Sequence, residues 1–128
     1  MRKYSTPLDS YCYGPVDLLK IYKGDSTMWL SLRDSMGKNA EAVYRGCVYW
    51  NLDREGTRLS LVQKVSPQDL VQYPDSITMQ ELRKNATDVP HLLREWDEAG
   101  LSFYLHLGSN PGEEFLVAAK SLEYRENL

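Results

Sequence analysis

Residues 57–100 read TRLSLVQKVSPQDLVQYPDSITMQELRKNATDVPHLLREWDEAG, and the hydrophobic period changes inside this stretch. Thr57 to Val65 alternates, with Leu59, Leu61 and Gln63 on one face, the period-two signature of a strand. At Ser66 the pattern switches. Ser66-Pro67 puts a hydroxyl at a helix N-cap and proline at the first helical position, where no N–H is needed. Val65 and Leu70 are spaced as a hydrophobic staple, and Pro74 ends this short helix. Thr78-Met79-Gln80-Glu81 has capping-box spacing, with Ile77 and Leu82 as its staple, and opens a helix to about Asn85. Asp88 caps a third helix with Pro90 in its first turn. Val89, Leu92, Leu93 and Trp96 form one apolar stripe at i, i+3, i+4 and i+7. Gly100 sits where a left-handed C′ residue is needed.

On either side the chain returns to strand patterns. Met28 to Arg33 alternates, with Leu30 and Leu32 on one face and Trp29, Ser31 and Arg33 on the other. Ala42 to Leu52 is rich in β-branched and aromatic residues; Gly46 within it marks a bulge or a close backbone approach. Asp53-Arg54-Glu55-Gly56 reads as a hairpin turn. These three strands are expected to form an antiparallel meander. Asp17 to Tyr22 is too short to assign as helix or strand. After the helices, Ser102 to Leu107 alternates, with Phe103, Leu105 and Leu107 opposite Tyr104 and His106. Glu114 to Ala119 returns after a Gly108–Gly112 loop, and Lys120 to Glu126 extends it. The expected fold is α+β: an antiparallel sheet of about five strands, with two to three short helices (residues about 66–99) packed on one face. Trp96, Leu92 and Leu93 are the expected centre of the helix–sheet core. The 128 residues form a single domain, 1–128, with a turn-rich segment at 1–15 that holds Tyr4, Tyr11 and Tyr13.

Composition narrows the function. Leu, Ile, Val and Phe number 30, enough to build a core. No apolar run is long enough to span a bilayer, and an apolar segment does not follow Met1-Arg2-Lys3, so a cytoplasmic location is expected. The net charge of −3 argues against a general nucleic-acid binder. That charge is unevenly spread: residues 1–64 carry +3 and residues 65–128 carry −6.

The residues that could carry chemistry do not assemble into a motif. Cys12, Cys47, His91 and His106 have no metal-ligand spacing, so no metal or other cofactor is expected. Phosphate-cradling glycine loops and nucleophile elbows are missing. Cys47 reads as a small buried hydrophobe, and His91, in the first turn of a helix, as neutral and structural. Two signals remain. Tyrosine outnumbers phenylalanine nine to two, and tyrosine is favoured where one end of a ring must meet water or a partner. The acidic second half offers a surface to a basic partner. The expected partner surface is therefore Tyr104 and His106 at the centre, Glu95, Asp97, Glu98, Glu113 and Glu114 for charge, and Tyr44, Tyr49 and Trp50. In general type, as a small acidic α+β chain without a catalytic constellation, the protein is similar to bacterial toxin-immunity proteins and phage-encoded inhibitors. That likeness implies a non-catalytic protein that binds and neutralises another macromolecule. The alternatives are a small hydrolase-type enzyme with a groove around His106, Tyr104 and a carboxylate such as Asp53 or Glu114, and an accessory or assembly subunit.

Overall fold

The computed structural model describes residues 10–126. Nine strand segments and three helices follow in order: β1 (Tyr11–Tyr13), β2 (Val16–Lys23), β3 (Thr27–Asp34), β4 (Asn39–Arg45), β5 (Tyr49–Trp50), β6 (Arg58–Val65), α1 (Pro67–Val71), α2 (Ile77–Arg83), α3 (Val89–Glu98), β7 (Ser102–Gly108), β8 (Glu114–Ala119) and β9 (Ser121–Glu126). The class is α+β with the strands paired antiparallel, but the sheet is larger than the five strands expected. Residues 17–22 are strand. Tyr11 and Tyr13 belong to a strand rather than a turn, whereas Tyr4 lies outside the described residues.

The segments link into six bent strands that close a ring. β1 and β2 both run along β6, through Tyr13↔Val62 and Val16↔Leu59. β2, β3 and β4 pair in sequence, as do β6, β7 and β8. The ring closes where β4 and β5, one strand bent at residues 46–48, meet β8 and β9, one strand bent at Lys120. Arg45 pairs with Ser121, and Tyr49 with Ala118. Between those pairs, Lys120 N–H donates to the Arg45 carbonyl (2.9 Å) and Val48 N–H to the Ala118 carbonyl (2.9 Å). The expected meander is corrected at this point: β4 pairs with β3 and β9, not with β6, and β6 lies between β7 and the β1–β2 strand. Gly46 makes the bend. Its φ is +67°, and an added Cβ would lie 2.9 Å from Lys120 Cγ, so both the conformation and the close approach require glycine.

The ring has two cores. Its interior is filled by Tyr13, Leu18, Leu30, Leu32, Tyr44, Val62, Tyr104 and Val117, with Ala40, Ala42 and Ala119 leaving room for the phenol rings. The second core lies outside the β6–β7–β8 wall, where Val65, Phe103, Leu105, Leu116 and Ala118 meet Leu70, Met79, Leu82, Val89 and Leu93 from the helices. Leu93 is fully buried there, while Leu92 and Trp96 are only partly covered. The helices therefore do pack on one side, as expected.

Their caps follow local chemistry. Ser66 and Asp69 form a reciprocal capping box at α1, and the Asp88 side chain accepts from His91 N–H at α3. At the end of α3, Gly100 (φ +88°) donates to the Asp97 carbonyl and Leu101 N–H to the Trp96 carbonyl, a Schellman motif. The α2 cap differs from expectation. Ser76, not Thr78, caps the helix by accepting from Met79 N–H (3.1 Å). Thr78 lies inside the first turn, and its N–H donates to Glu114 Oε2 on β8 (3.0 Å).

Candidate functional site

Alternation on β4 and β7 sends Tyr44, Tyr104 and His106 to the interior face, so the surface expected around Tyr104 and His106 is not formed by them. All three are buried, Tyr44 and His106 completely. They join Tyr13 in a directed chain of hydrogen bonds. His106 Nδ1 lies 3.1 Å from the Tyr104 carbonyl and 3.3 Å from the Phe115 carbonyl. Carbonyls only accept, so Nδ1 carries the proton. Nε2 of the neutral ring then accepts from the Tyr44 hydroxyl (2.7 Å), which in turn accepts from the Tyr13 hydroxyl (2.6 Å). The Tyr13 ring stacks on Tyr124 at 4.8 Å, and Tyr104 meets Tyr44 edge-on at 5.4 Å. Burial lowers the His106 pKa from 6.5 to about 4 and raises those of both Tyr13 and Tyr44.

The carboxylates considered as partners of an enzymatic His106 are engaged elsewhere or exposed. Glu114 caps Thr78 N–H, and Asp53 is exposed at the turn before β6. Among the described residues, His106 has only the Tyr44 hydroxyl and the two carbonyls as hydrogen-bond partners. Among the described residues, no group of three or more His, Cys, Asp or Glu side chains is placed to hold a metal. Cys47 is buried and donates to the Tyr44 carbonyl, and burial raises its pKa, so it does not have the depressed pKa of an activated thiol.

The remaining candidates divide into three groups. Glu95, Asp97 and Glu98 are exposed on α3, with Glu95 paired to His91 (2.8 Å). The segment from Ser66 to Leu101 carries seven carboxylates against three basic side chains, so the helical layer holds much of the negative charge of the second half. Glu113 and Glu114 serve the fold: Glu113 accepts from Asn110 N–H and pairs with Arg54, while Glu114 caps Thr78. Tyr49 and Trp50, adjacent on β5, point to opposite sides. Tyr49 packs on Trp96 in the helical core, and Trp50 packs against the interior core with Lys23 Nζ 5.4 Å from its ring.

The side of the ring away from the helices carries a feature that these expectations missed. Tyr22 and Trp29 are directly opposite each other on β2 and β3, 56% and 47% exposed, with ring centroids 6.3 Å apart at 61°. Trp29 is held in place. Its indole N–H donates to Glu41 Oε2 (3.0 Å); Arg125 Nε lies 3.3 Å from Glu41 Oε1, and Glu123 bridges Arg125 and Arg45. Arg45 and Arg125 hold the Glu123 carboxyl below its ordinary pKa. The two rings border an open groove of about 520 Å³, lined also by Ser31, Asn39, Ala40 and Glu41. The sequence did carry a sign of this face, because alternation on β3 places Trp29 opposite Leu30 and Leu32. What it could not supply is Tyr22 as the cross-strand neighbour.

No family model, curated protein or solved structure matches this chain. No helix among the described residues is long and apolar enough to cross a membrane.

Proposed function

We propose that this chain is a non-catalytic binding protein that engages another protein, one with a basic surface, and thereby neutralises or inhibits it. The observation that carries the reading is the contrast between inside and outside. The histidine and tyrosines best suited to chemistry are buried and hydrogen-bonded to one another, whereas a tyrosine and a tryptophan are exposed together on the side of the ring away from the three described helices. Exposed Trp and Tyr supply large rigid contact area, and such residues dominate binding energy at interfaces. A tryptophan already fixed by Glu41 loses little freedom on binding. The acidic helical layer lies on the other side of the ring and adds only a long-range attraction for a positively charged partner.

Co-expression with the products of neighbouring genes, followed by calorimetric titration, tests this. One of those products is expected to bind, and Trp29→Ala with Tyr22→Ala is expected to weaken binding by about thirtyfold, as removal of one interface hot spot of about 2 kcal/mol would. The reading fails if no neighbouring product binds, or if the double variant binds as tightly as the parent.

A further inference from the structure

Resting on that reading, we infer that the groove beside Tyr22 and Trp29 receives an arginine side chain of the partner protein. Its chemistry is that of a cation site. Two of its walls are π-faces or edges, set at 61° to each other, and aromatic faces attract cations, tryptophan most strongly. The other polar lining groups are the Ser31 hydroxyl, the Asn39 amide and the Glu41 carboxylate, all able to accept hydrogen bonds, and among the described residues no Lys or Arg lines the groove. Neither the Ser31 nor the Asn39 side chain makes a hydrogen bond within the described residues, so both are available to a donor fork.

The neighbouring charges select arginine over lysine. Arg125 already meets one Glu41 oxygen and the Trp29 indole the other, so the carboxylate keeps its remaining lone pairs but not an uncompensated charge. Lys20 lies two cross-strand pairs from Tyr22 and Trp29, opposite the lining residue Ser31. A compact, strongly hydrated ammonium gains little in such a place. A guanidinium is weakly hydrated, stacks flat on an indole and spreads five donors over several acceptors. The Arg45–Glu123–Arg125–Glu41 network then acts as a brace that fixes the indole plane on which the guanidinium stacks.

The test is an NMR titration of the whole chain with Nα-acetyl-arginine methylamide, following the Trp29 indole N–H and the Ser31 amide. The matching lysine and citrulline compounds serve as comparisons; citrulline keeps the shape of arginine without its charge. Saturable shifts with arginine are expected, about three- to fivefold weaker binding with lysine, and none with citrulline. Glu41→Gln, which keeps an oxygen for the indole, is expected to weaken arginine binding by a similar factor, and Tyr22→Leu likewise should Trp29 variants fold poorly. The inference is overturned if the indole signal does not move, if citrulline moves it equally, or if a short oligothymidylate moves it at lower concentration than arginine. If a neighbouring gene product binds through Tyr22 and Trp29 while the arginine probe does not, only the arginine assignment is lost. If the probe binds and no neighbouring product does, only the inhibitory reading is lost.

Discussion

Acidification tests the buried chain directly. In the folded protein His106 is neutral, with Nδ1–H tied to two carbonyls and Nε2 accepting from Tyr44. A proton on Nε2 would meet the Tyr44 hydroxyl as a second donor and place a charge in an apolar interior. The folded pKa of about 4 lies below the ordinary 6.5, so between these values the unfolded chain binds the extra proton and the folded chain does not. The stability that His106 contributes is therefore complete above pH 6.5 and is lost as pH falls toward 4. At about 1.4 kcal/mol per pH unit, the loss from this single group reaches about 3 kcal/mol by pH 4. Urea unfolding between pH 7 and pH 4, followed by tryptophan fluorescence, measures it. His106→Gln removes the titration, and carboxylate effects common to both proteins cancel in the difference. The sequence has only one other histidine, His91, and His91→Gln serves as the control. The wild type is expected to lose about 3 kcal/mol more than His106→Gln over this range. Parallel profiles would refute the argument. So would ¹⁵N shifts showing Nε2 protonated at pH 7, a measurement made on the wild type that does not depend on the variant folding.

The α2 cap and the ring's bend give further expectations. Ser76→Ala should cost about 1 kcal/mol through loss of the bond to Met79 N–H, measured by urea unfolding. Thr78→Val should be neutral or stabilising by up to about 1 kcal/mol, because the Thr78 hydroxyl is buried without a hydrogen-bond partner among the described residues; a loss as large as that of Ser76→Ala would return the capping role to Thr78. Gly46→Ala should destabilise by about 1–2 kcal/mol, because its φ of +67° and the Lys120 stem both oppose a Cβ, with the thermal midpoint as the readout.

Local chemistry was legible in the sequence, and closure was not. Ser66, Asp88 and Gly100 act at their helix ends as their own spacing implies, because caps and C′ glycines are local. Thr78–Glu81 satisfies the box spacing, yet the partner that takes the Thr78 N–H, Glu114, is remote in sequence, so the cap falls to Ser76. Alternation on β7 separated Tyr104 and His106 from Phe103 and Leu105 correctly. Polarity then suggested that the first pair faces water, but a histidine can be buried when Tyr44 and two carbonyls satisfy it. The run Ala40, Ala42, Tyr44 on one face was the available hint of an interior that alternates small and large side chains. The pairing of Tyr22 with Trp29 depends on the β2–β3 register, which shifts between Leu18 and Lys20, so the exposed aromatic face could not be assembled from periodicity alone.

The seam between the β4–β5 and β8–β9 strands also bears on how the protein is made. It joins residues 40–50 to residues 117–126, the partners farthest apart in sequence anywhere in the ring. During synthesis the β2–β3–β4 hairpins can form early, but the apolar face of Ala40, Ala42 and Tyr44 has no covering wall until residues 102–126 have left the ribosome. For that interval the nascent chain displays an open sheet with an unpaired β4 edge, the form most prone to join a neighbouring chain. A premature stop ahead of β8 would therefore leave five of the six strands as an adhesive open sheet instead of a shortened barrel.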